Sequence, residues 1–171
     1  MLPAHGQLFK RGSLTGSDVN NHVIGRLCDT GRVYSDGIIF QIYTYCEDPN
    51  SSTSKTYLIG QVTVPKYYGD ILIRHKKGLF NFGIVGLTEL TTEWNQFNEK
   101  FQVFASRPEL VTSFELLNPQ MMQWIEQAPF EINIEVIDNS IYFFSDVGGI
   151  KPDYYPTMLS ILQAAYRELK L

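Results

Sequence analysis

The sequence runs to 171 residues, enough to bury roughly two thirds of its unfolded surface around a single core, and no second domain is needed. Hydrophobic residues at 44% and charged residues at 19% suit a soluble globular fold, while 13% aromatic content tilts the expectation toward strands. The net charge of −4 argues against a general nucleic-acid binder, which would offer phosphates an excess of Lys and Arg, and leaves only local cationic patches to consider.

The first stretch, MLPAHGQLFKRG, has neither a charged n-region nor an apolar h-region, so it is not read as a signal peptide, and residues 1–20 are expected to form a flexible arm on a single domain spanning 1–171. The longest apolar runs, such as LFNFGIVGL, are too short to span a bilayer, and a soluble, cytoplasmic chain is expected. NHVIGRLCDTGRVY reads as a short strand leading through a turn at Asp29 to Gly31. In GIIFQIYTYC, alternation puts Ile38, Phe40, Ile42 and Cys46 on one face and Ile39, Gln41, Tyr43 and Tyr45 on the other. Cys28 and Cys46 read as small buried hydrophobes; a disulfide would need them to meet across the sheet, which their spacing does not establish.

After the polar loop EDPNSSTSK, TYLIGQVTV places Leu58, Gly60, Val62 and Val64 opposite Tyr57, Ile59, Gln61 and Thr63, completing a long hairpin with a mobile tip. GDILIRH then reads as a further strand, making the first half an antiparallel meander. GLFNFGIVG lacks the lysine and the strand-to-helix context of a phosphate loop, and reads as a flexible apolar connection with Phe80, Phe82 and Ile84 under a helix.

TTEWNQFNEKFQVFAS predicts a helical turn around Trp94 to Asn98 feeding a strand at Phe101 to Ala105, with Asn98 bonding backbone in the turn. Ser106, Pro108 and Glu109 form a capping box, and Leu110, Phe114 and Leu117 give the helix that follows one buried stripe. Asn118 ends that helix and caps the next, with Pro119 at its first position and Met121, Trp124, Ile125 and Ala128 on its apolar side. Pro129 stops it. FEINIEVIDNSIYFFSD predicts a β-hairpin turning at Asp138-Asn139, with Ile132, Ile134, Val136, Ile141 and Phe143 facing inward. The last segment, YYPTMLSILQAAYRELKL, is an amphipathic helix with Met158, Leu162, Ala165, Tyr166 and Leu169 on its docking side.

Little here can make or break bonds. His5, His22 and His75 lack a second His or Cys at metal-ligand spacing, no strained serine elbow occurs, and Glu131 and Glu135, about 13 Å apart along a strand, read as a solvated face. No catalytic residue, metal or cofactor is expected. Two binding candidates stand out. Lys66, Arg74, Lys76 and Lys77, set among Tyr67 and Tyr68, either meet an anionic surface or form a solvated turn and strand end. The row Tyr43, Tyr45, Tyr57 and Ile59 is either a partner surface, if nothing covers it, or core, if the C-terminal helix packs there.

The ordered set LFKRG, VIGR, FQIYTY, QVTVP, FNEKFQVFAS, LLNPQMMQWI and IEVIDNSIYFF resembles an uncharacterised bacterial family classed as a domain of unknown function, from about Phe9 to the C-terminal helix. Many members of that family sit beside N-terminal transmembrane helices, which this sequence lacks, so the resemblance implies a soluble fragment or a shortened member, with tethering at the membrane in longer relatives. The family brings no assigned activity. The expected fold is α+β: an antiparallel twisted sheet of six or seven strands with a helix-pair insertion and a C-terminal helix on one face, a pleckstrin-like roll being the alternative. The expected function is a non-catalytic binding or assembly module with a protein partner or an anionic membrane surface. Its competitors are a hydrolase with a site assembled from loops and a binder of anionic lipid headgroups.

Overall fold

The structure is a computed structural model that describes residues 26–35, 37–46, 55–76, 86–111, 118–148 and 151–169. The expected α+β class holds, with an open sheet of eight strands in place of six or seven. In chain order the strands are β1 (Arg26–Ser35), β2 (Ile38–Cys46), β3 (Thr56–Thr63), β4 (Ile71–His75), β5 (Thr88–Leu90), β6 (Phe101–Ala105), β7 (Asn133–Ile137) and β8 (Ser140–Asp146). The helices are α1 (Asn95–Lys100), α2 (Pro108–Val111), α3 (Pro119–Gln127) and α4 (Tyr154–Leu169). Every strand pairing is antiparallel, in the order β1-β2-β3-β8-β7-β4-β6-β5.

Three expectations about the first half meet the backbone differently. The Asp29 to Gly31 signal is a bulge inside β1: Leu27 pairs with Tyr45 and Thr30 with Tyr43, so one extra residue is accommodated and the strand continues. The chain reverses later, where Ser35 pairs with Ile38 and Gly37 adopts φ +82°, a conformation open to glycine without cost. The meander also ends at β3, because β8 takes the far edge of that strand and β4 pairs instead with β7 and β6. The β3–β4 connection crosses the tip of the β7–β8 hairpin and is pinned to it: Val64 N–H donates to Asn139 O at 2.9 Å, Tyr68 N–H to Asp138 O at 2.9 Å and Asp138 N–H to Gly69 O at 3.1 Å. Asp138, at φ 60°, makes the predicted hairpin turn.

Alternation along the strands divides the sheet into two buried faces. Phe40, Ile42, Leu58, Val62, Ile73, Val103, Ile134, Val136, Ile141 and Phe143 lie on the face covered by helices, with Met158, Leu162 and Ala165 of α4 packed among them. The close seat of α4 depends on Gly60, where a Cβ would lie 2.7 Å from Met158 Cγ and 2.8 Å from Leu162 Cδ1. The opposite face gathers Tyr43, Tyr45, Tyr57, Ile59, Leu72, Phe104, Tyr142 and Phe144. No helix among the described residues is long and apolar enough to cross a membrane.

The second half follows its local signals with one correction. Asn118 caps α3 by accepting from Met121 N–H at 2.8 Å, and its amide donates to Glu168 Oε2 of α4 at 2.8 Å, joining the two helices. The Ser106 hydroxyl accepts from Asp70 N–H at 3.0 Å, because the end of β6 runs beside the start of β4. On α3 the buried side is Met121, Met122 and Ile125, while Trp124 is 41% exposed. The side chains of Cys28, Cys46, Leu110 and Leu169, and residues 47–54, 77–85 and 112–117 with Phe80, Phe82, Ile84, Phe114 and Leu117, lie outside what is described, as do His5 and His22.

Candidate functional site

The residues singled out from the sequence separate into two groups. Tyr43, Tyr45, Tyr57 and Arg74 share the face of the sheet that carries no helix among the described residues. Lys66 and Lys76 lie near opposite ends of β4. The Lys66 ammonium stands 5.3 Å from the ring centroid of Tyr68, whereas the Lys76 amide donates to Lys100 O at 2.8 Å. Lys77 is outside the described residues.

The tyrosine row is interior as folded. Tyr43 is 0% exposed, Tyr45 4% and Tyr57 8%, although α4, the helix expected to cover them, sits on the other face. Register extends the row into a polar layer that the periodicity of single strands could not reveal. Tyr43 leads through Ile59 to Phe144, and Gln41 leads through Gln61 and Tyr142 to Glu135 and Leu72. Glu135 is consequently half-buried against the sheet, whereas Glu131 is exposed as expected. At the far end, Arg74 Nε donates to Gln102 Oε1 at 3.2 Å, Gln102 Nε2 donates to Glu89 Oε1 at 3.1 Å, and the guanidinium lies 4.9 Å from the Phe104 ring centroid. Burial, with Tyr142 close by, pushes the Tyr43 hydroxyl well above the usual tyrosine range. The Tyr142 hydroxyl is pushed up to about 12, chiefly by burial and further by Glu135 and Asp138.

An open groove of about 810 Å³ lies elsewhere, between α1 and α3. On the α3 side, Gln120, Gln123 and Gln127 line it at spacings of three and four residues, the stripe opposite the buried Met121, Met122 and Ile125. Facing them are Trp94, Gln96 and Lys100. The Lys100 ammonium and the Glu126 carboxylate form an ion pair joining the two walls.

Both walls are held from behind. Asn98 does bond backbone in the turn, as its sequence context predicts: its Oδ1 accepts from Thr92 N–H at 2.9 Å and from the Thr92 hydroxyl at 2.8 Å, while its Nδ2 donates to Thr92 O at 2.7 Å. Trp94 N–H in turn donates to Thr92 Oγ1 at 3.3 Å. The indole stacks on Phe97 with centroids 6.4 Å apart, and Phe97 stacks on Phe101 at 4.4 Å, so an aromatic column runs from the groove into the core. Sequence reading passed over the groove. Its glutamines are ordinary surface residues one by one, and only the i, i+3, i+7 spacing set against Trp94 could have drawn attention to them.

The lining can hold a ligand by hydrogen bonding and stacking. Among the described residues, no group of three or more His, Cys, Asp or Glu side chains is placed to hold a metal ion. No family model and no curated protein matches the chain. Among solved structures, the fold is similar to that of the mycobacterial trehalose monomycolate transport factor A, TtfA, with a TM-score of 0.62 and 12% sequence identity, covering 95% of this chain and 82% of that one.

Proposed function

We propose that the chain is a non-catalytic binding module whose working surface is the groove between α1 and α3, the sheet and its tyrosine layer serving as a rigid support. The observation that carries this reading is the lining itself: amides, an indole face and an ion pair satisfied within the protein, mounted on walls that the Thr92–Asn98 and Asn118–Glu168 contacts keep in place. Such groups hold and orient a ligand without a bond-breaking step. The name of the structural neighbour, a transport factor, also supports a role in handling a molecule. In longer chains of the bacterial family that the sequence resembles, the same module would work at the inner face of a membrane.

The test is to equilibrate the purified chain with an extract of small molecules and lipids and to identify by mass spectrometry what stays bound. Trp94→Ala with Gln123→Ala is expected to release the retained species, whereas Tyr43→Phe leaves it bound. Retention that survives the groove substitutions and disappears with the tyrosine change would move the working surface to the sheet.

A further inference from the structure

Resting on that reading of the groove, we infer that its ligand is a neutral, hydroxyl-rich molecule, a sugar unit of one or two rings. Four amides face the space: Gln96 on one wall and Gln120, Gln123 and Gln127 on the other. An amide carries two donor hydrogens and an acceptor oxygen and does not titrate, so it suits a hydroxyl, which also gives one hydrogen bond while taking others. A phosphate or carboxylate ligand uses only acceptors and would leave the amide oxygens facing like partial charge. It would instead call for a cation with charge to spare, and Lys100, the one cation among the residues lining the groove, is paired with Glu126.

Trp94 adds the second half of the argument. A sugar ring has polar edges and an apolar face of C–H groups, and the flat side of an indole complements such a face. Here the ring is half-buried, stacked on Phe97 at an interplanar angle of 23°, and its backbone is tied to Thr92, so it is already ordered before a ligand arrives. Preorganisation of this kind reduces the ordering cost that weakens binding at exposed sites. The volume of about 810 Å³ lies within the range of roughly 300–1,000 Å³ usual for small-molecule sites.

The experiment titrates the full chain, carrying Trp124→Phe so that Trp94 is the sole indole, with maltose, cellobiose and sucrose, and with glucose 6-phosphate and a neutral peptide as alternatives. Indole fluorescence and the side-chain amide signals of the four glutamines are followed. A neutral disaccharide is expected to shift both sets of signals saturably. Trp94→Ala is expected to weaken binding at least tenfold, Gln123→Ala or Gln127→Ala several-fold, and Trp94→Phe, which keeps a stacking face and guards against misfolding, less than Trp94→Ala. Binding of glucose 6-phosphate or the peptide at these residues in preference to the neutral sugars would overturn the ligand class while leaving the groove as the working surface. Failure of every probe here, together with an extract-derived ligand that the groove substitutions do not release, would overturn both.

Discussion

The two faces of the sheet are closed to solvent alike but by different chemistry. On the helix side, Phe143 and Ile73 are 0% exposed within a layer of aliphatic and aromatic side chains that α3 and α4 complete. On the other side, Tyr43 and Ile59 are also 0% exposed, yet they lie in a layer shared with the buried amides of Gln61 and Gln102. The first face depends on volume and shape, the second on volume and on hydrogen-bonding groups that specify how strands meet. The proposed binding surface lies on the outer sides of α1 and α3, whose inner sides the first face anchors.

The contrast can be broken or sharpened by substitution. Phe143→Ala is expected to cost about 3–5 kcal/mol in denaturant unfolding, because a large side chain is removed from a packed layer. Tyr43→Phe, which deletes one buried oxygen and leaves the ring in place, should change stability by no more than about 1 kcal/mol in either direction. Equal losses would abolish the distinction between the faces.

Alkaline titration comes next in size. Tyr142, whose ordinary value is 10.0, is pushed up to about 12 in the fold, so between those values the folded chain keeps a proton that the unfolded chain has lost. Its contribution is whole below pH 10 and disappears as the pH rises toward 12, steepening the fall by about 1.4 kcal/mol per pH unit. Thermal melts across that window should show a shallower decline in Tyr142→Phe, and an unchanged slope would mean that the hydroxyl is solvated.

Smaller effects probe the walls of the groove. Asn118→Ala removes a cap and the tie to Glu168 and should cost about 1 kcal/mol, with earlier hydrogen exchange in α3 than in the sheet. A double-mutant cycle on Lys100 and Glu126 should give less than about 1 kcal/mol of coupling, since the pair is largely exposed and screened by salt.

Local signals made much of this fold legible. Asn118-Pro119, Asp138-Asn139 and the alternation from Ile132 to Phe143 act through neighbouring residues, and the structure places each where that chemistry requires. What escaped depends on long-range pairing. The insertion of β7 and β8 between β3 and β4 leaves no mark within the segment joining those strands, and the Ser106 hydroxyl meets Asp70 N–H, 36 positions away. The sequence left Tyr43, Tyr45 and Tyr57 open between a partner surface and core, because aromatic alternation is a property that interior and surface rows share. The groove is made of residues with no individual signal, brought together by the approach of α1 to α3.

The central claim is that the tyrosine layer is a closed interior and the groove an open site. Hydroxyl-radical footprinting of the folded chain tests it directly, with Tyr34 at 74% and Tyr67 at 52% exposure as internal standards. Trp94 should label readily and become protected when ligand is bound, while Tyr43, Tyr57 and Tyr142 stay unlabelled until the chain unfolds. Labelling of Tyr43 and Tyr57 as fast as Tyr34, or ligand protection at those tyrosines and not at Trp94, would contradict the account.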